Sequence, residues 1–397
     1  MIARGWTLRR RLGLAAAAVV AMGVAIGCGG QYKLPTELPR RTIPIDKSYQ
    51  MLATWDGLGN LQDVLLSQGL VFTLYNSGGT GTAPRGHLDI YPLARPSPIP
   101  NDGFPTLFNP IALAVGGDGT GRPRNRLFVL DQGDSCLARA NPTTGMCDDT
   151  TGDWNLRVRD LALYWHVREF ALYGGDTLGT FSDTTVAWVR GVGADDQGRV
   201  YVSCLAIVLL ADPSDPRRVT RSFLPRVYRY LRGPRYPGVN PPDWRMPGSN
   251  WHRDTTWVVE DGSGIGTIQD AYGIEWGSGG GHGILVTDYG KNWIQKISDA
   301  QSNTGFFQIG DSGDPLLSLY QPTDVSVDES GYIYICDTGN SRIMRHDPYG
   351  VYVQRVDVEP DAHGRVLQNP IAVTANDSLV YVADRGLNEI IRYKRRS

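Results

Sequence analysis

The stretch that decides the fold is QPTDVSVDESGYIYICDTGNSRIMR, residues 321–345. It alternates apolar and polar residues in three short runs, which are separated by polar turns around Asp328 and Asp337. β-Branched and aromatic residues dominate the runs, and an alternation of period two indicates β-strands. The segment therefore predicts three consecutive antiparallel strands joined by two short turns.

A second copy of this pattern, NPIAVTANDSLVYVADRGLNEIIRY, occupies residues 369–393. Four looser copies lie upstream and begin near residues 61, 109, 188 and 272. Six units of short strands at uneven periods of about 45 to 85 residues, without an amphipathic helix between them, predict an all-β fold, a six-bladed β-propeller. The 397 residues of the chain do not, in that case, imply several domains.

The shared pattern places Pro and a small residue before the first strand and Asp, Gly and Asn after the second, and it resembles the NHL repeat. The resemblance is close in residues 321–394 and looser upstream. It implies the architecture of the TolB-like six-bladed propellers, which sensor ectodomains, amidating lyases, lactonases and strictosidine-synthase-like enzymes share. Because binding proteins and enzymes both use this architecture, the fold alone does not decide function.

The two ends of the repeat region predict how the propeller closes. The last unit stops after its third strand near Lys394, whereas a surplus alternating stretch, residues 49–55, precedes the first unit. An unpaired edge strand favours aggregation. We therefore expect residues 49–55 to form the outer strand of the C-terminal blade, so that the propeller spans residues 49–397.

The first 27 residues are typical of an export signal. Basic residues at Arg4 and at positions 9–11 precede an apolar run over residues 12–26, which is short for a bilayer span. The run ends in small residues before Cys28 and so resembles a bacterial lipobox, although this motif usually has Leu where the chain has Ala25.

The lipobox resemblance implies that residues 1–27 are removed and that acyl chains such as palmitate are attached to Cys28, with residues 28–48 as a tether. The alternative is an ordinary signal peptide followed by an incidental cysteine. We expect a lipid-anchored membrane protein of the cell envelope that faces the periplasm or the exterior.

Export also predicts an oxidising compartment for the remaining cysteines. Cys136 and Cys147 lie in one polar stretch, and we expect them to form a loop-closing disulfide. Cys204 and Cys336 lie inside apolar strand runs, where a thiol packs as a small hydrophobic group. No Cys or His doublet has the spacing of a zinc site.

Alignment of the six units identifies the residues that face the central channel. The small-residue position of the first strand is Gly or Ala in four units but Asp63 and Asp324 in the other two. Arg190 occupies the preceding position in the third unit, and Glu275 lies two residues beyond the aligned position in the fourth. These four residues are the candidate axial polar site, for a cation or a charged small ligand. The alternatives are a water-filled channel with incidental polar residues, or carboxylates that are bonded to neighbouring backbone N–H groups.

Aspartate and asparagine recur after the second strand of the well-formed units, as Asp288/Asn292, Asp337/Asn340 and Asp384/Asn388. A recurrent pair suggests metal binding, but Asp and Asn side chains also bond nearby backbone N–H groups in turns. We interpret the pairs as turn residues.

Insertions between the second and third strands are expected at residues 76–86, 132–154 and 205–225, all on one face. Loops on a rigid scaffold often provide recognition, so this face is expected to bind an envelope or extracellular protein, a glycan or a small ligand. A further insertion, residues 233–255, is expected to join the third and fourth strands on the opposite face.

Composition excludes one class of partner. Four of the 39 basic residues lie in the export signal, so the rest of the chain is net acidic, which argues against nucleic-acid binding. The leading hypothesis is a non-catalytic binding or assembly module without a cofactor. The alternative is a divalent-cation-dependent hydrolase or lyase of the lactonase or strictosidine-synthase-like class, with Ca²⁺ in the axial channel. The sequence identifies no catalytic residue and leaves a metal site open.

Overall fold

The computed structural model describes residues 49–56, 58–77, 86–93, 98, 107–120, 124–132, 165–172, 177–181, 183, 185–212, 215–233, 251–277, 283–298, 308–310, 314, 316–357 and 366–396. Within these ranges every regular element is a β-strand, apart from a single 3₁₀ turn at Thr338–Asn340. The strands form six small antiparallel sheets arranged as a six-bladed β-propeller, as the sequence predicts. In this described part of the chain, no helix has the length and apolar character that crossing a membrane requires.

The strands follow one another around the ring in chain order. The N-terminal strand is β1 (Tyr49–Trp55). The first blade contains β2 (Asn60–Ser67), β3 (Leu70–Asn76) and β4 (Gly86–Pro92), and the second contains β5 (Pro110–Gly116), β6 (Arg126–Asp131), β7 (His166–Ala171) and β8 (Thr177–Phe181). The third blade contains β9 (Val186–Ala194), β10 (Val200–Asp212), β11 (Asp215–Arg232) and β12 (Trp251–Val259). The fourth blade contains β13 (Ala271–Gly277), β14 (Gly283–Asp288), β15 (Trp293–Ser298) and β16 (Gln308–Ile309). The fifth contains β17 (Asp324–Val327), β18 (Ile333–Asp337), β19 (Arg342–His346) and β20 (Tyr352–Arg355). The sixth contains β21 (Pro370–Ala375), β22 (Leu379–Asp384) and β23 (Glu389–Arg395).

The first strand of each blade is the innermost. β2, β5, β9, β13, β17 and β21 each contact the next in this order, and β21 contacts β2, so the ring is closed. Neighbouring inner strands run in the same direction, because Gly191 lies beside Tyr272 and Gly193 lies beside Ile274. A Cβ on Gly191 would overlap the carbonyl oxygen of Tyr272. Crowding between inner strands therefore explains the small residues that the aligned units share.

Six hydrophobic clusters fill the six seams between neighbouring blades in the described part of the chain. The seam between the second and third blades is rich in aromatic side chains, with Trp165, Phe181 and Trp251 packed against one another. Apolar area buried between sheets is the main favourable contribution to such a fold, at about 25 cal/mol per Å². Each blade is therefore stabilised by two neighbours.

The strand β1 closes the ring as the sequence predicts. It pairs antiparallel with β23, from Tyr49 opposite Arg395 to Trp55 opposite Ile390. The ring of Trp55 stacks on Tyr91 of the first blade, at 4.9 Å between centroids. The C-terminal blade thus consists of β1, β23, β22 and β21, and its outer strand comes from the other end of the propeller region.

Two expected insertions differ from the structure. The segment 205–225 is not a separate loop: β10 and β11 continue as one long hairpin, in which Ile207 pairs with Phe223. The strands extend because both arms of the hairpin carry apolar and β-branched residues, among them Ile207, Val208 and Phe223. The segment 233–255 ends earlier than expected, since Trp251 begins β12 and is only 7% exposed. The middle parts of the other two insertions lie outside the described residues.

The aspartates that end the second strands are turn residues, as their recurrence indicates. The carboxylate of Asp384 accepts hydrogen bonds from the backbone N–H groups of Gln368, Asn369 and Leu387, at 2.7, 3.0 and 3.0 Å. Asn388 has φ of 56°, a left-handed conformation that Asn tolerates better than most residues. The Asp384 carboxylate thus connects the end of the second strand to the start of the first.

Candidate functional site

The central channel contains a cavity of about 330 Å³. The innermost strands of all six blades line it, together with residues that follow the second strands of two blades. The four candidate axial residues, Asp63, Arg190, Glu275 and Asp324, all lie on its wall. The alignment of the repeat units therefore predicts the location of these side chains.

One end of the cavity is defined by the points where the inner strands begin, and we call it the upper rim. It consists of Gln62, Gln132, Arg190, Tyr272, Thr323 and Arg385. Gln132 and Arg385 belong here because antiparallel pairing brings the ends of β6 and β22 beside the starts of β5 and β21. Sequence reasoning missed these two residues, although their place directly after the recurrent aspartate was a usable signal.

The two arginines of the upper rim are held in different ways. The guanidinium of Arg190 lies over the ring of Tyr272, 5.0 Å from its centroid, and its Nε lies 3.8 Å from Oδ1 of Asp270. Arg385 donates through Nε to the carbonyl oxygen of Leu61 at 3.0 Å and through Nη2 to Oε1 of Gln62 at 3.1 Å. Burial lowers the pKa of Arg385.

Asp63 lies one residue below the upper rim and connects two blades. Its Oδ1 accepts the N–H of Val64 at 2.7 Å, and its Oδ2 accepts the N–H of Leu113 in the next blade at 2.6 Å. Burial and the negative charge of Asp324 raise the pKa of Asp63 well above its ordinary value, whereas the two N–H bonds lower it.

Asp324 repeats this arrangement in the fifth blade. Its Oδ2 accepts the N–H of Val373 in the sixth blade at 2.8 Å. Burial raises the pKa of Asp324 to about 7, against the lowering effect of bonds from the backbone of Val373 and Val325. Two carboxyl groups in one enclosed channel cannot both ionise easily, because each charge disfavours the other.

Glu275 lies deeper, two residues beyond the level of the aspartates. Its Oε1 is 3.8 Å from Nη2 of Arg124, which belongs to the turn between β5 and β6. Burial raises the pKa of Glu275 to about 7; Arg124 lowers it, and the charges of Asp324 and Asp196 raise it. The lower part of the channel is therefore acidic.

A metal ion would need a convergent set of ligands. The described residues contain no group of three His, Cys, Asp or Glu side chains arranged to hold one. Among the histidines within the described ranges, His346 is buried in β19 and burial lowers its pKa to about 4, while His87, His166 and His252 lie in other blades. Among the described residues, the axial carboxyl groups therefore form no such three-ligand set.

The remaining candidates concern cysteines. Cys28, Cys136 and Cys147 lie outside the described residues, so their lipidation and pairing remain predictions. Cys204 and Cys336 are free and fully buried, as the sequence indicates, and burial raises the pKa of each thiol.

Together these features define the class: a six-bladed β-propeller with a polar axial cavity. The family model described as NHL repeat matches residues 319–344, so the fifth blade contains an NHL repeat. A curated relative, the probable peptidyl-alpha-hydroxyglycine alpha-amidating lyase pgal-1 of Caenorhabditis elegans, is 27% identical over 134 residues, which are 32% of this chain and 37% of that protein. The chain thus spans little more than a third of that relative's length.

The solved structures to which this chain is similar are more distant in sequence. A protein of unknown function from Bacteroides thetaiotaomicron VPI-5482 is 12% identical, with a TM-score of 0.49 over 87% of this chain and 72% of that one. Virginiamycin B lyase from Staphylococcus aureus is 8% identical, with a TM-score of 0.44 over 87% of this chain and 98% of that one.

Proposed function

We propose that this protein is a non-catalytic binding module that is lipid-anchored in the cell envelope and takes its ligand into the axial cavity through the upper rim. The observation that supports this most directly is the cavity of about 330 Å³, which all six blades enclose. Concave, preformed sites with a few convergent polar groups are typical of small-molecule binding. The propeller ring holds these groups in place on packed strands.

The axial aspartates support binding more than metal-dependent catalysis. Both oxygens of Asp63 and one oxygen of Asp324 accept backbone N–H groups, two of these from the next blade. Ca²⁺ is bound by six to eight oxygen ligands, and carboxylates bonded to the backbone in this way stabilise the seams between blades. The upper rim offers the groups that contact a ligand.

The cellular setting is part of the proposal and rests on the sequence. The basic and apolar N-terminus that ends at Cys28 supports a location of the propeller outside the cytoplasm, with the membrane as one partner through the lipid. Residues 28–48 then connect the lipid to β1 in the C-terminal blade. An envelope or extracellular protein or a glycan is the further partner for the face that bears the upper rim, and nucleic acid is not.

The binding proposal is tested on the full mature chain with the small-molecule fraction of an envelope extract. We expect at least one compound to co-purify in native mass spectrometry and to raise the melting temperature. Arg385→Gln should abolish this retention, while Lys394→Gln, an exposed cation of the last strand, should not. Release of a chemically altered compound, or equal retention by Arg385→Gln, would contradict the proposal.

A second candidate function is a divalent-cation-dependent hydrolase or lyase. The 27% identity with a probable amidating lyase favours it, and so do the pKa values of about 7 for Glu275 and Asp324, because such carboxyl groups exchange protons readily near neutral pH. The test is turnover of lactones and of a peptidyl-hydroxyglycine. Turnover that EDTA removes and Ca²⁺ restores would replace the binding proposal with this one.

A further inference from the structure

The upper rim contains two cations whose charge is poorly compensated. Among the described residues, Arg385 donates hydrogen bonds only to the neutral oxygens of Leu61 and Gln62, and burial lowers its pKa without an acidic neighbour that would raise it. Arg190 is 3.8 Å from Asp270, beyond hydrogen-bond length, and its buried Nε donates to no acceptor.

Below the upper rim, the charge that is poorly compensated is negative. Among the described residues, Asp63 and Asp324 form no ion pair with a cation, and Arg124, at 3.8 Å, is the one cation paired with Glu275. These carboxyl groups are half-buried on the cavity wall, so they keep only part of the water that surrounds a free carboxylate. An ionised group that loses water without gaining a partner is unfavourable, so a bound group of opposite charge would be stabilised.

The two layers are stacked along one axis. Arg190 is level with Tyr272 on the next inner strand, and Glu275 follows Tyr272 by three residues. At a rise of about 3.3 Å per residue, the cationic and acidic layers lie within roughly 10 Å of each other, with the aspartates between them. A ligand with opposite charges at its two ends would meet both layers at once.

We propose that the axial cavity binds a small zwitterion of the amino-acid or short-peptide class, with its carboxylate at the upper rim, where Arg190 and Arg385 lie, and its ammonium group toward Asp63, Asp324 and Glu275. This rests on the proposed binding function and names its ligand class. A purely anionic ligand would satisfy the arginines but add negative charge to an acidic channel. A purely cationic ligand would have to pass two arginines.

The size of the cavity agrees with this class. A volume of 330 Å³ corresponds to about ten water molecules at roughly 30 Å³ each, which is enough for a dipeptide. Arginine also binds a carboxylate through two parallel N–H bonds, and this fixes the orientation of the ligand.

Three matched probes test the proposal on the full mature chain by isothermal titration calorimetry: Ala-Ala, N-acetyl-Ala-Ala and Ala-Ala-amide. The first has both charges, the second lacks the cation and the third lacks the anion. We expect Ala-Ala to bind and each of the other two to bind at least tenfold more weakly. Arg385→Gln should weaken the binding of Ala-Ala at least tenfold and should weaken the binding of Ala-Ala-amide less, because the amide has no carboxylate. Glu275→Gln should weaken the binding of Ala-Ala more than that of N-acetyl-Ala-Ala, because the acetylated probe has no ammonium group. Lys394→Gln is the control.

Several outcomes would overturn the zwitterion proposal. Equal binding of Ala-Ala and N-acetyl-Ala-Ala would show an anion site, and equal binding of Ala-Ala and its amide would show a cation site. No binding of any probe, with folding of the wild-type protein verified by circular dichroism, would exclude this ligand class. The wider binding function would then still stand if an envelope compound is retained in an Arg385-dependent way, so the two failures are distinguishable.

Discussion

The carboxylate of Asp63 in the first blade accepts a hydrogen bond of 2.6 Å from the backbone N–H of Leu113 in the second. The same bond recurs four blades later, from Val373 to Asp324 at 2.8 Å. The repeat therefore contains a side-chain connection between blades that only two of the six units use. It places two acidic groups in the channel as a consequence of stabilising the seams.

Replacing Asp63 by Ala should destabilise the propeller by about 1–3 kcal/mol, because the buried N–H of Leu113 would lose its acceptor. The measurement is urea unfolding at pH 5, at which repulsion between Asp63 and Asp324 is small. Asp56→Ala, at an exposed position just after β1, is the matched control. If the two variants are equally stable, the hydrogen bond between Asp63 and Leu113 contributes nothing to the stability of the seam between the first and second blades.

Stability should fall as pH rises from about 4.5 toward 7. The native state holds the proton of Glu275 up to a pKa of about 7, whereas the unfolded chain loses it near the ordinary value, so the folded state binds more protons in this window. Each unit of pKa difference corresponds to about 1.4 kcal/mol. Glu275→Gln should reduce the slope of the unfolding free energy against pH, and part of the slope should remain because burial also raises the pKa of Asp324 to about 7. An unchanged slope would show that Glu275 contributes nothing to it.

Deletion of residues 29–56 should lower the melting temperature by many degrees or cause aggregation. It removes β1, which pairs with β23 and places Trp55 against Tyr91 and Tyr381. Deletion of residues 29–45 alone should be nearly silent, because it leaves β1 intact. Differential scanning calorimetry of both proteins checks this, and equal melting temperatures would mean that the seam does not depend on β1.

Cys28→Ser should release the protein from membranes and slow the removal of the signal, because the acyl chains would have no attachment site. Membrane fractionation and intact mass spectrometry measure the two effects. Cys204→Ser is a suitable control, since this thiol is buried in the propeller. Unchanged fractionation and mass of Cys28→Ser would rule out lipidation at this residue.

Cys136 and Cys147 should be joined after export, and closing so short a loop should stabilise the protein by about 2–3 kcal/mol in the chain-entropy view. Peptide mapping without reductant should recover the linked pair. Recovery of both residues as free thiols from exported protein would contradict this.

The axial site shows where inference from the sequence stops. Alignment of the repeat placed Asp63, Arg190 and Asp324 on the channel wall, because equivalent positions of a repeat occupy equivalent places in a ring. Arg385 was missed because it follows a second strand, and only antiparallel pairing brings that position to the start of an inner strand. The expected loop over residues 205–225 was wrong for a similar reason, since pairing between β10 and β11 extends both strands.

The sequence by itself determined the number of blades, the order of their strands and the closure by residues 49–55, because period-two alternation and the recurrent Asp turns are local signals that repeat along the chain. Only the tertiary structure decided what the axial carboxyl groups contact and how strongly burial shifts their pKa values. Those properties depend on which strands lie side by side around the channel and on how much water they exclude. A linear pattern of residues encodes neither the strand neighbours nor the exclusion of water.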